Sequence, residues 1–137
     1  MAKTKGLVIK ERTVGESDRL VTLLTADYGL VNAFVRNAKQ LKNKLSASTS
    51  LFAYCEFSIY QGRDANVVDN ATVIEMFFDL RSDIEKLAVA QYFAQLAYEL
   101  ANEGQPEEEM LSIILNSLHL LCKGEKSIVQ IKSVVEF

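Results

Sequence analysis

Residues 15–36 read Gly15-Glu16-Ser17-Asp18-Arg19-Leu20-Val21-Thr22-Leu23-Leu24-Thr25-Ala26-Asp27-Tyr28-Gly29-Leu30-Val31-Asn32-Ala33-Phe34-Val35-Arg36. Gly15 to Asp18 is a turn by composition. Leu20–Thr25 is rich in residues that favour strands. Asp27-Tyr28-Gly29 is a short hairpin connection, and Leu30–Arg36 returns as a partner strand. Upstream, Leu7-Val8-Ile9 opens another strand. Downstream, Leu51–Tyr60 alternates. Leu51, Ala53, Cys55, Phe57 and Ile59 point one way, and Phe52, Tyr54, Glu56, Ser58 and Tyr60 the other. Gln61-Gly62-Arg63-Asp64 turns the chain, and a fifth strand falls within Asn66–Ile74. Five short strands with no early helix fit a small closed or half-closed barrel.

The period then changes. From Ser82 to Glu103 apolar residues leave only a narrow polar stripe at Gln91, Gln95, Glu99 and Asn102. Such a helix is expected to be buried on several sides. Ser82 with Glu85 has capping-box spacing. Gly104 suits the position just past the helix end, and Pro106 the first turn of the next helix. Glu107-Glu108-Glu109 complements the positive end of that second helix, which runs to about Cys122. Ser127 is placed to cap a third helix carrying Ile128, Ile131, Val134 and Val135. The chain ends on the apolar Phe137 with no stop signal. That reads as the front of a longer helical domain, or as a last helix that packs on a partner. The fold class expected is α+β: a five-stranded barrel over residues 1–79, then a helical domain over 80–137, incomplete at its C-terminus.

Nearly half of the 137 residues are apolar, with one proline and six glycines, so a packed core is expected rather than disorder. No apolar run is long enough to span a bilayer. The run after the basic N-terminus is too short for a signal peptide, so a cytoplasmic protein is expected. Cys55 and Cys122 sit far apart in apolar patterns and read as reduced, buried thiols. His119, with Cys122 three residues on, lacks the further ligands a zinc site needs. No phosphate-binding glycine loop, nucleophile elbow or zinc-protease motif occurs, and no carboxylate pair can be assigned as acid and base. Catalysis is not expected.

Charge is uneven. Residues 1–80 sum to +1 and residues 81–137 to −4, giving the net −3. Between Tyr28 and Cys55 there is no acidic residue, yet Arg36, Lys39, Lys42 and Lys44 all lie there. An acid-free basic window is a candidate footprint for a polyanion, and the field over a local patch matters more than the total. The alternative is a solvated loop kept soluble by lysines. Asn32, Phe34 and Arg36 share one strand face, so an aromatic ring and a guanidinium are presented together. In an oligonucleotide-binding (OB) barrel, strands 2 and 3 form the usual ligand face. The aromatic face of Phe52, Tyr54 and Tyr60 is expected to pack on the Ala-rich helix rather than on bases.

Several of these runs resemble a known family. Lys5–Ile9, Gly15–Thr25 and Tyr28-Gly29 are similar to the amino-terminal signature of the bacterial DNA repair protein RecO family. The likeness continues through Val35–Lys39, Leu45–Thr49, Tyr60–Asp64, Ile74-Glu75 and Ile84–Ala88. The resemblance implies an OB barrel followed by the first part of a helical domain. It implies a non-enzymatic recombination mediator that binds single- and double-stranded DNA and anneals complementary strands. It implies work with RecR, RecF and single-stranded DNA-binding protein, and help in loading RecA, at the bacterial nucleoid. The matching DNA-binding positions are Arg36, Lys39, Lys42 and Lys44, with Lys5, Arg19 and Phe34 added. No metal or other cofactor is implied for this stretch, because the zinc site of some relatives would lie beyond residue 137. Asn37 stands where relatives commonly have glycine, and asparagine tolerates a left-handed backbone. The competing reading is a protein-interaction scaffold of a repair complex, with no DNA binding of its own.

Overall fold

The computed structural model describes residues 2–38, 43–63 and 65–124. Strands β1 (Ala2–Val14), β2 (Asp18–Thr25), β3 (Gly29–Val35), β4 (Tyr54–Gln61) and β5 (Asn66–Glu75) close a barrel in the order β1-β2-β3-β5-β4. Closure runs through one short parallel contact, Ala33 with Asn66 and Phe34 with Val67. The other strand pairs are antiparallel. Helix α1 (Leu45–Ser48) separates β3 from β4. A 3₁₀ turn (Phe78–Leu80) leads from β5 to α2 (Ile84–Leu100) and α3 (Glu108–Cys122). This is an OB barrel followed by helices. The expected third helix, with Ser127 to Val135, lies outside the described residues.

Strand alternation divides the apolar side chains between two cores. Val8, Val21, Leu23, Ala33, Val35, Cys55, Phe57 and Ile59 fill the barrel. Leu7, Ile9, Leu24 and Phe52 lie outside it and meet Ala90, Phe93, Ala94 and Ala97 of α2, with Leu111, Ile114, Leu118 and Leu121 of α3. Tyr54 packs against this second core, as its face implied, whereas Tyr60 lines a groove with Tyr28 and Leu30. Phe52 holds a left-handed backbone, φ +68°, just before β4. That conformation costs a non-glycine residue about 1–2 kcal/mol. Full burial of the ring contributes about 1.5–3 kcal/mol, enough to offset it.

β1 is longer than its apolar centre because Lys10–Thr13, though exposed, remain paired to β2. The register slips between Val8 and Lys10: Val8 faces Leu23 while Lys10 faces Thr22. Ile9 is thus an extra residue, a β-bulge. Simple alternation would have turned Lys10 inward. The bulge turns it out, onto the face that carries Thr22.

The helix ends differ from their sequence signals. Asp83, not Ser82, caps α2, its Oδ1 accepting from the backbone N–H of Glu85 (3.0 Å) and Lys86 (3.2 Å). A carboxylate one residue later out-competes the serine, which donates instead to the carbonyl of Asp79. α2 ends at Leu100 into extended Ala101, so Gly104 is not its terminator. α3 begins after Glu107, which leaves Pro106 outside its first turn. α2 buries one face only. Ile84 is 87% exposed and Leu100 65%, contrary to the burial expected on several sides, because the described residues cover only the face toward the barrel and α3.

The α2–α3 connection instead clasps the β2–β3 turn. Leu30 N–H donates to the Asn102 carbonyl (2.9 Å), Gly104 N–H to Tyr28 (2.9 Å) and Glu107 N–H to Ala26 (3.0 Å). Gly29 sits inside the clasp at φ +66°, and a Cβ there would collide with the Asn102 carbonyl oxygen and lie 2.6 Å from that of Gln105. Gly29→Ala is therefore expected to lower stability by about 3 kcal/mol or more, from the left-handed backbone and the displaced hydrogen bonds together. Urea unfolding of the two proteins measures this.

Both cysteines are free. Cys55 is fully buried, its Sγ donates to the Ser48 carbonyl, and burial pushes its thiol up to about 11 from an ordinary 9.0. An unfolded chain ionises this thiol first, so its contribution to stability is whole below pH 9 and is lost as pH rises toward 11. Burial and the Asp79 charge push the Cys122 thiol up as well, so at pH 8 a thiol reagent should modify half-buried Cys122 more slowly than a free thiol, and Cys55 only on unfolding. Mass spectrometry of the labelled native chain reads both sites.

Candidate nucleic-acid interface

The far end of β3 from the clasp carries the basic site. Phe34 and Arg36 point outward from β3 while Ala33 and Val35 are buried. The parallel contact of Phe34 with Val67 brings the β4–β5 turn alongside. Arg63 thereby joins Phe34, Arg36, Asn37 and Asp18 around a shallow cleft of about 460 Å³. Both arginines are exposed. The sequence places Arg63 in a turn. Only the strand order places it beside Arg36.

The loop leaving this site is anchored at its base. Asn37 adopts φ +56°, the left-handed backbone that asparagine accommodates, and its N–H donates to Asp18 Oδ1 (2.9 Å). Asn43 closes the loop from the other side. Its Nδ2 donates to the carbonyls of Arg36 and Asn37, each at 3.0 Å, and its Oδ1 accepts from Leu45 N–H (2.8 Å). Lys44 is exposed at the start of α1. Lys39 and Lys42, within the loop, lie outside the described residues. Asn43 carries no signal of its own in the sequence, because its role needs the two loop ends to meet.

Two of the basic positions go elsewhere. Arg19 is a tie, not a free cation: Nη1 donates to the Ser46 carbonyl (2.8 Å) and Thr49 Oγ1 (2.9 Å), and Nε lies 3.8 Å from Glu11. It holds α1 to the barrel. Lys5 pairs across from Glu56 and next to the Ala26 turn, at the opposite end of the barrel. Six residues of β2 separate the ends, about 20 Å at the strand rise. Lys5 therefore cannot share a short contact with Arg36. Of the predicted side chains Phe34 and Arg36 line the cleft at this end, joined by Arg63, and Lys44 follows Asn43 in the chain without lining it.

Residues 1–77 match the family model described as recombination protein O N terminal, and residues 81–137 the one described as recombination protein O C terminal. The chain belongs to the RecO family. It is 38% identical over 134 residues to DNA repair protein RecO of Acetivibrio thermocellus, covering 98% of this chain and 53% of that protein. For the RecO of Caldicellulosiruptor bescii the identity is 36%, covering 91% and 51%. For that of a Nostoc species it is 33%, covering 87% and 40%. The chain spans about half the length of the curated RecO proteins it matches. No helix among the described residues is long and apolar enough to cross a membrane.

The Asn37 turn gives a direct check on the site's frame. Asn37→Gly should shift stability by no more than about 0.5 kcal/mol, whereas Asn37→Val should cost about 1–2 kcal/mol. Thermal melts of the two variants against the parent measure the difference.

Proposed function

We propose that this chain binds single- and double-stranded DNA through the basic end of its barrel and promotes annealing of complementary strands. On this reading it helps RecA load onto DNA coated by single-stranded DNA-binding protein, acting with RecR and RecF in the bacterial cytoplasm at the nucleoid. It works without catalysis and without a cofactor of its own. The observation that carries the reading is the convergence of Arg36, Arg63 and Phe34 on one cleft, by the ligand face usual for this barrel. Membership of a family whose relatives are named as DNA repair proteins agrees with it.

The mechanism follows from charge. Guanidinium and ammonium groups neutralise phosphates and release counterions. Two strands held this way repel each other less, and their bases stay free to pair. Phosphate contacts carry no sequence information, so binding should be nearly independent of sequence. Arg36, Lys39, Lys42 and Lys44 on a single strand give a slope of log affinity against log salt of about −3, and Arg63 extends it to about −3.5.

Fluorescence anisotropy with a labelled oligonucleotide at several salt concentrations tests this. Arg36→Ala/Arg63→Ala should weaken single-strand and duplex binding alike and flatten the single-strand slope by about 1.4. Unchanged affinity and slope in a folded variant would remove this end of the barrel as the site. A second reading, a protein-docking scaffold, has its own observation. Phe78, Ile84 and Leu100 are 68%, 87% and 65% exposed on the helical side. It is favoured if the parent retains no DNA at low salt while sedimentation shows association that strengthens with salt.

A further inference from the structure

A second cleft, of about 570 Å³, opens between the outer face of β1–β2–β3 and helix α2. Its barrel wall carries Lys10, Arg12, Thr22 and Asn32, and its helix wall Gln91, Gln95 and Tyr98. The cleft continues the basic site. Leu20 and Thr22 are successive outward residues of β2, and they pair across to Phe34 and Asn32 of β3. A chain lying over Phe34 therefore meets Asn32 next.

The wall chemistry suits a nucleobase. The Asn32 and Gln91 amides can meet a base edge, while Thr22 Oγ1 already donates to Asn32 Oδ1 (2.8 Å) and Gln95 Nε2 to Glu99 Oε1 (3.0 Å). Tyr98 is 41% exposed, and its ring is covered at 3.5 Å by the Lys10 ammonium. That contact exists because the Ile9 bulge turns Lys10 outward. A cation over an aromatic face holds the same position that a stacked base would take. Glu11 also lines the cleft, but it lies 3.8 Å from the Arg19 guanidinium, which offsets its charge.

We propose that Tyr98 is a base-stacking residue for single-stranded DNA, and that Lys10 covers its ring until a strand arrives and then moves to the phosphate of that nucleotide. The proposal rests on the DNA-binding reading above and deepens it. It adds a contact that only an unpaired base can make, since a duplex keeps its bases stacked inside. The basic end then serves both DNA forms, and the cleft discriminates between them.

The test compares a thymidine oligonucleotide with a duplex of equal length, at fixed salt and then across salt. Tyr98→Ala should lose roughly 5- to 150-fold in single-strand affinity, the usual worth of one stacked base, and leave the duplex unchanged. Its salt slope should match the parent's, because stacking releases no counterion. Tyr98→Phe should bind as the parent does. Lys10→Met should flatten the single-strand slope by about 0.7, the share of one phosphate. Tyr98→Trp should show fluorescence quenching on adding the oligonucleotide and none on adding the duplex. Circular dichroism establishes that each variant is folded. Equal losses on single strand and duplex, or no loss with Tyr98→Ala while Arg36→Ala/Arg63→Ala is impaired, would overturn the cleft and leave the basic end standing. A parent that binds neither DNA form overturns both.

Discussion

The main-chain clasp between the β2–β3 turn and the α2–α3 connection is the constraint on which the rest of the molecule depends. Three backbone hydrogen bonds cross it, and Gly29 is the residue that lets the two segments approach. The turn is also held from within. Thr25 Oγ1 donates to the Gly29 carbonyl (2.8 Å) and accepts from Tyr28 N–H (3.1 Å), and Thr25 is fully buried. The clasp pins the C-terminal end of α2 against the barrel. That in turn sets the packing of Ala90, Phe93, Ala94 and Ala97 on Leu7, Ile9 and Leu24. Small residues on α2 let the helix lie close, and the Tyr98 wall of the cleft is carried with it.

Much of this architecture is legible in the chain. Alternation from Phe52 to Ile59 separates barrel-facing from outward side chains, because a side-chain period of two is a local property, but of the outward ones only Phe52 and Tyr54 meet the helices, and Leu51 packs there too instead of facing the barrel. The i, i+3, i+7 spacing of Leu111, Ile114 and Leu118 does the same for α3. What was not legible depends on a partner. The bulge at Ile9 appears only against the register of β2. The Asp83 cap wins over the Ser82 signal by a competition between adjacent acceptors. The apolar circumference of α2 implied more burial than the described residues supply, because composition records what a helix can bury and not what covers it.

The site divides along the same line. Arg36 and Phe34 were visible because two residues of one strand face, at i and i+2, need no tertiary information. Arg19 and Arg63 exchange roles once the fold is known. Arg19 lies in the strongest run of strand residues yet is used to tie α1 to the barrel. Arg63 lies in the β4–β5 turn, and the parallel β3–β5 contact brings it to the basic cleft. A basic residue's value to a polyanion is set by whether its donors are already engaged. Sequence spacing does not carry that information.

The same geometry answers how a chain of net charge −3 can present a local basic patch. The acidic run Glu103, Glu107, Glu108 and Glu109 belongs to the clasp end, since Glu103 bridges Gly29 and Leu30 and Glu107 bonds Ala26. Arg36 and Arg63 stand at the other end of β3. The two ends are about 20 Å apart along the strands. The screening length is about 10 Å at 0.1 M salt, so a phosphate at the basic end feels little of the acidic one. The sum of charges then has almost no bearing on local affinity. The separation still has a consequence at longer range in dilute salt, where the field is that of a dipole rather than of a uniform anion. Such a molecule turns its basic end toward a polyanion before contact, and the acidic end disfavours the reverse approach. The glutamates of the clasp end thus leave the field around Arg36 and Arg63 almost uncancelled.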